Sequence, residues 1–538
     1  ICSVLCLGFL ILLTSCKEDY KLPDVKGSME IVPFKTYINV KTTFTDSEDH
    51  DLYYDKVTIT VSLIEKEDDE EKITSKKDVT ITKPTVDKNA ENPVIAREMS
   101  GAVVEFSSLQ ADTEYTIKLL ISAKGVEDIL ETKKVKTISN GTSEDDPIII
   151  TNLDQLIGMN KERDAYYKLG NDIDCGGSEL ASIFSSSTPF KGQFDGDGKK
   201  LSNFKLYANS YTGVFGYMQE ATVKNLVIDN VSYDQSRTDT HLGVLAGYAS
   251  KSNISNIKIN KVDINHSSTS SRSAWIGGLV GRAEYCTIED CQITNLKIRI
   301  PRAQLKIYAG GFVGYNTNSA IKNCYVEGNL ESTIYYNSYD NGFNYIGGFV
   351  GVNDSIQGIA NCYAKMNLNI LEPTSVTSTG YKTHKVYIGG FMGGNISNMS
   401  MIKDCAIIGE IKISATYSYN VYVGGFAGVL NEQNASRLEN CIYYPTGDGL
   451  AVTLAEKKKA DNTDSTDSDD KKDEKTQVAY VSLCVGKMSE RTVLVNAFTY
   501  KELYKIENQH DETTFVLGDI STDLSLFSET IKNVIANL

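Results

Sequence analysis

Between residues 211 and 428 one short pattern of apolar, glycine and polar positions returns seven times. Its copies read YTGVFGYM from Tyr211, HLGVLAG from His241, WIGGLVG from Trp275 and YAGGFVG from Tyr308. They continue as YIGGFVG from Tyr345, YIGGFMG from Tyr387 and YVGGFAG from Tyr422. A second block follows each copy, as in Val223-Lys224-Asn225-Leu226, Ile288-Glu289-Asp290-Cys291 and Leu438-Glu439-Asn440-Cys441. A third stretch then alternates, as in Leu296, Ile298 and Ile300, the signature of a half-buried strand. Copies start 30 to 42 residues apart, with the variation confined to the joints. Three short strands per copy is what a β-solenoid coil requires. Each strand pairs with its equivalent one coil away, ~4.8 Å off, and equivalent residues stack into ladders. Residues 146–455 are expected to form that solenoid.

The flanks read differently. Residues 28–139 alternate in the period of two that a β-sandwich uses, with Tyr115, Ile117, Leu119 and Ile121 on one face. Residues 456–477 carry almost no apolar group and are expected to be a disordered insertion. Order should return over 478–538 as strands and a capping helix. There Leu524, Phe527, Ile531, Val534, Ile535 and Leu538 follow helical spacing. At the other end, Ile1 to Leu13 is an apolar run of signal-peptide length, too short to span a bilayer. This makes 1–15 a signal peptide and 16–27 a polar tether.

Composition narrows the function classes. In 538 residues, 54 Lys+Arg stand against 70 Asp+Glu, a net charge of −16 that argues against nucleic-acid binding. The five His share no metal-ligand spacing and form no HExxH, so no metal or other cofactor is expected. Asp195-Gly196-Asp197-Gly198 reads as a Gly/Asp turn before it reads as a calcium site.

Three columns of the repeat are candidates for chemistry. Cys291, Cys324, Cys362, Cys405 and Cys441 occupy a position held earlier by Leu226 and Ile257. A site accepting Leu, Ile or Cys is an interior one, so these read as stacked free thiols; disulfides between coils are the alternative. The redox state of Cys175, Cys286 and Cys484 stays open. Asn225, Asn256, Asp290, Asn323, Asn361, Asp404 and Asn440 read as an amide ladder at a coil corner. A catalytic pair made of Asp290 and Asp404 fails on distance. Three coils separate them by roughly 14 Å, beyond what glycosidase carboxylates use.

The aromatic column is the third. Tyr211, His241, Trp275, Tyr308, Tyr345, Tyr387 and Tyr422 open the copies, and Phe215, Leu245, Leu279, Phe312, Phe349, Phe391 and Phe426 follow four residues on. On a regular strand the two sets share a face, which predicts that both point into the core. The alternative is a platform for stacking sugars, with Trp275, Tyr308, Tyr345, Tyr387 and Tyr422 as ligand-binding residues. Tyr335, Tyr336, Tyr339, Tyr417 and Tyr419, in the joints, are further ligand-binding candidates. No catalytic residue is assigned.

The repeat spelling resembles the GLUG motif of bacterial surface proteins. DPIIITNLDQLIGMN and PFKGQFDGDGKKLSNFKL resemble that family's opening coils. The resemblance implies an all-β fold, a right-handed parallel β-helix. LQADTEYTIKLLISAKG resembles the tyrosine corner of a fibronectin type III or immunoglobulin-like sandwich, through Leu109 and Tyr115. Leu13-Thr14-Ser15-Cys16 resembles a lipoprotein lipobox, and the KED that follows resembles the export tag of Bacteroidetes surface lipoproteins. Together these imply acylation at Cys16, an outer-membrane lipid partner and a surface-exposed, lipid-anchored location. The expected role is non-catalytic adhesion to a glycan or another surface protein. A polysaccharide lyase or hydrolase is the alternative, and a structural surface-layer component the third reading. Arg299-Ile300-Pro301-Arg302 lacks the spacing of the pectate lyase motif.

Overall fold

The computed structural model describes residues 26–45, 56–67, 70–82, 98–99, 103–123, 129–236, 240–267, 273–303, 306–334, 342–371, 385–397, 399–415, 420–431, 436–454, 478–488, 493–499, 504–508, 513–516 and 532. The segments expected to be a signal peptide and an insertion at 456–477 lie outside these residues, as does the expected tether 16–27 except for Lys26 and Gly27, which pair as the start of the first strand instead. The expected C-terminal helix also lies outside them, apart from Lys532. The chain divides into two compact units, Ile1–Ile148 and Ile149–Leu538.

The first unit is a small β-sandwich. One antiparallel sheet contains Lys26–Pro33, Tyr37–Thr45 and Val103–Ser107; the other contains Glu70–Thr82, Lys56–Glu67, Glu114–Ala123 and Ile129–Lys136. Their alternating apolar faces meet in one core, with Met29, Ile38 and Val40 against Ile59, Val61, Ile117 and Leu119. Tyr115 is buried, and its hydroxyl accepts the N–H of Gln110 at 3.0 Å, pinning the turn that precedes its strand.

The second unit is a parallel β-helix. Each coil runs through a strand that carries the aromatic residue, such as Ile307–Gly310 with Tyr308, then a bend and a corner strand, Val313–Thr317. A short strand, Ala320–Lys322, and a long one, Tyr325–Ile334, complete it. All pair in parallel with their equivalents: Tyr308 with Tyr345, Val313 with Val350, Ile321 with Ile359. Among the described residues, the aromatic strands make a nine-stranded sheet and the corner strands an eight-stranded one. Most of the variation in coil length falls in one joint, between the long strand and the next aromatic strand.

Asparagine sets the turn before each long strand. Asn225, Asn256, Asp290, Asn323, Asn361, Asp404 and Asn440 all have φ between 51° and 57°, the left-handed conformation that Asn and Asp tolerate best. Their side chains form the amide ladder: Asn361 Nδ2 donates to Asn323 Oδ1 at 2.7 Å, and Asn323 to Asp290 at 3.0 Å. Asp195 heads it, accepting from Asn225 at 3.0 Å and from the N–H of Asp197 at 2.8 Å, as an Asp/Gly turn does.

Two features extend past the sequence reading. The parallel ladders run beyond residue 455, through Val478–Ser482 and on to Thr513–Val516, because Tyr480 opens an eighth copy whose glycines and phenylalanine are replaced by Ser482, Leu483 and Cys484. A short helix, Leu153–Gly158, capped by Asn152 and burying Leu156, precedes the first coil.

Candidate functional site: an aromatic groove outside the β-helix

Phenylalanine and tyrosine columns do not share a face. Phe312, Phe349 and Phe391 are fully buried in the lumen, stacked at 4.8 Å from ring to ring. The tyrosine column lies on the outside of the coil, contrary to the expectation from a regular strand. The reason is the bend between them, which separates two strands within each copy. Ile276, Ala309, Ile346, Ile388 and Val423, one residue after the ring, are the ones buried in the lumen.

Glycine makes the bend possible. A Cβ on Gly310 would stand 2.2 Å from Val313 O and 2.6 Å from Gly351 N. The aromatic and corner sheets therefore meet backbone to backbone, with no room for a side chain between them. Their outer faces form an angle, and the rings of the column lie in it.

The column is continuous. Ring centroids follow at 4.9 Å from Tyr211 to His241, 4.1 Å to Trp275, 5.8 Å to Tyr308 and 5.9 Å to Tyr345. They continue at 4.7 Å to Tyr387, 4.9 Å to Tyr422 and 5.1 Å to Tyr480. Trp275, Tyr308 and Tyr345 are half-buried, and because each is stacked parallel on its neighbours it is a ring edge that reaches the surface. Tyr387 and Tyr422 are only 3% and 4% exposed, packed with Val429 in a cluster that Tyr345 and Tyr480 flank. Of the five described candidates, three are half-buried at the surface and two are packed away. Tyr335, Tyr336, Tyr339, Tyr417 and Tyr419, with Cys16, lie outside the described residues.

A second row faces the column across the angle. It reads Tyr217, Tyr248, Arg282, Tyr315, Val352, Gly394, Val429 and Lys487. Tyr315 meets Tyr308 edge to face at 5.2 Å, and Tyr217 meets Tyr211 likewise at 4.9 Å. The Arg282 guanidinium lies 5.7 Å from the Tyr248 ring and 5.5 Å from the Tyr315 ring. Lys487 lies over Tyr422 at 4.9 Å. Tyr248 donates to Glu284, and Tyr315 donates to Asp354 at 3.4 Å.

Burial sets the protonation of this groove. Desolvation pushes the Tyr248 and Tyr315 phenols up, with Glu284 and Asp354 adding to it, so both stay neutral donors. His241 is brought down to about 4, first by burial and then by the Arg282 charge, and is a neutral ring at pH 7. Sequence reasoning missed this second row because its members differ from coil to coil. Its signal is positional: each stands two residues past the corner strand's first residue or, at Tyr217, one past it.

The cysteine column lies inside. Cys291, Cys324, Cys362, Cys405 and Cys441 are free thiols and at most 1% exposed. Desolvation is the largest influence on each and opposes the thiolate. Cys175, Cys286 and Cys484 are buried and in no disulfide as well. Burial pushes Cys286 up to about 11. These thiols are packing groups. Among the described residues no cluster of His, Cys, Asp and Glu has the arrangement of a metal site.

Comparison with known proteins adds one motif. The family model described as the GLUG motif matches residues 307–331, one coil from its aromatic strand into its long strand. No curated protein matches. Among solved structures, the chain is similar to a Parabacteroides merdae beta-glucuronidase crystallised with glycerol in its active site, at 10% identity and TM-score 0.16. That match covers 39% of this chain and 29% of the glucuronidase. It is also similar to a family 28 exopolygalacturonase of Yersinia enterocolitica, at 9% identity and TM-score 0.14, covering 93% of this chain and 98% of that one. At such TM-scores neither carries an argument about fold or activity.

Proposed function

We propose that this protein is a surface lipoprotein, anchored through acylated Cys16, whose β-helix binds an extended glycan along the aromatic groove. The carrying observation is the outward aromatic column: Trp275, Tyr308 and Tyr345 line up the edges of stacked rings along the helix axis. The apolar C–H faces of sugars pack against such an aromatic strip, and the coil rise of ~4.8 Å approximates one pyranose along an extended chain. The sandwich, read as a fibronectin type III-like spacer, would hold the β-helix away from the membrane. In this reading the protein adheres and does not cleave.

Trp275 is the sole tryptophan of the chain, so its fluorescence reports on the groove directly. Titration with soluble polysaccharides should shift and quench that emission, and Tyr308→Ala should weaken binding about tenfold. Unchanged Trp275 emission across neutral and acidic polysaccharides alike would overturn the glycan reading and leave a protein ligand. Palmitate labelling that survives Cys16→Ala would overturn the anchor.

A second reading, a hydrolase, is favoured by Glu284 and Asp354. They stand two coils apart on the groove face, roughly 10 Å between backbones at ~4.8 Å per coil. Carboxylates that invert a glycosidic bond are ~6.5–9.5 Å apart. Reducing ends released by the parent and lost in Glu284→Gln would replace adhesion with cleavage.

A further inference from the structure

We infer that the groove selects an anionic sugar chain, carboxylate- or sulfate-bearing, and that Arg282 is the residue that holds the anion. The inference rests on the glycan reading above and names its substrate class. A guanidinium offers five N–H donors in a planar fork that matches carboxylate and sulfate. Arg282 spends one of them on the protein, at 3.4 Å to Glu284. Its Nε–H is buried among its neighbours, so the part of the fork that faces outward is its terminal N–H groups, of which one is engaged by Glu284. The others are donors an anion can take up. The side chain is 31% exposed, so the fork is within a ligand's reach.

The surroundings hold that fork still. Tyr248 and Tyr315 flank it in the same row, and both phenols are occupied by carboxylates of their own. Arg282 is also in the coil that carries Trp275, so an anion at the fork and a ring on the column belong to one stretch of ligand. Lys487 stands in the same row five coils further, about 24 Å away at ~4.8 Å per coil, again over tyrosine rings. On a chain with net charge −16, both cations of this row sit on ring faces. A polyanion several sugars long would meet the two in turn, passing the half-buried Tyr308 and Tyr345 between them.

The test uses the full chain and four probes read by Trp275 fluorescence: polygalacturonate, its methyl ester, dextran sulfate and dextran. Polygalacturonate or dextran sulfate should bind at least about tenfold tighter than its neutral counterpart, with affinity falling as salt rises. Which of the two binds tells carboxylate from sulfate. Arg282→Gln should bring the acid down to the level of the ester, and Arg282→Lys should recover part of the difference. Acid and ester binding alike, or an Arg282→Gln variant of unchanged melting temperature that keeps the preference, would overturn the anion assignment while leaving glycan binding intact. Binding of none of the four removes the glycan reading itself. Salt dependence of the parent protein decides the matter even if Arg282→Gln fails to fold.

Discussion

Two aromatic columns, four residues apart in the coils of Tyr211, Tyr308, Tyr345, Tyr387 and Tyr422, meet opposite fates. Phe349 stacks between Phe312 and Phe391 in a dry lumen, each ring fully buried. Tyr345, opening the same copy, stacks at 5.9 Å on Tyr308 on the outside, half-buried. Residue type does not explain the contrast, since Tyr443 is itself fully buried. The backbone does. A bend between two strands resets which side a residue faces, so one coil builds a packed interior ladder and an external one from nearly the same chemistry.

The largest expected effect separates the two columns by stability. Phe349→Ala opens a cavity between stacked rings and should cost about 3–5 kcal/mol. Tyr345→Ala removes a half-buried ring and should cost about 1–2 kcal/mol. Chemical denaturation of both variants checks the assignment. Equal losses would mean that the tyrosine column is core, and the groove would lose its claim to a ligand.

The same contrast extends to two histidines. His266 is in the lumen, with a ring 6.0 Å from that of Tyr233 and neither nitrogen hydrogen-bonded. Burial brings it down to about 4. His241 is in the outer column and reaches about 4 through burial and the charge of Arg282. Both pKa values are depressed below the unfolded value of ~6.5, so the unfolded chain takes up protons first. Their stability contribution is complete above ~6.5 and is lost as pH falls toward 4. For His266 the full loss is about 3 kcal/mol. Urea midpoints measured at pH 7.5 and 4.5 should differ by less in His266→Phe than in the parent. Arg282→Gln should raise the pKa of His241 in NMR titration and leave that of His266 where it is. An unaltered His241 would contradict the electrostatic half of this account.

Much of this was legible in the sequence, and the failures have physical causes. The period, the asparagine corners and the interior cysteines are written in residue types that recur at fixed positions, because each coil imposes the same φ or the same volume. Tyr480 was harder to see, since Ser482, Leu483 and Cys484 blur its copy while the ladder around it persists. The facing of the tyrosine column was misread for a deeper reason. Counting four residues along a strand presumes an unbroken strand, and Gly310-Gly311 marks the place where it breaks. Arg282 had no repeat signal at all. It is a single departure within a row, visible once the bend brings that row against the column.

The smallest stability effect tests the bend itself. Gly278, Gly311, Gly348, Gly390 and Gly425 recur in the middle of each copy, where glycine would otherwise weaken strand pairing. Of the two explanations, a left-handed backbone or a close neighbour, the structure selects the second: none of the five has φ in the left-handed range. A Cβ on Gly348 would stand 2.2 Å from Gly390 O and 3.1 Å from Met366 Cβ. The first contact is with backbone of the next coil, which is held by its own ladder hydrogen bond from the Gly348 N–H at 2.8 Å. Neither side is free to move away without parting the coils. Gly348→Val should therefore destabilise by about 1–3 kcal/mol although valine is the better strand former. Thr287→Val, on an exposed strand position, is the control and should change stability by less than about 0.5 kcal/mol. Denaturation midpoints decide it. A neutral Gly348→Val would show that the coils can spread at this point, and the sharp bend that sends Tyr345 outward and Phe349 inward would need another cause.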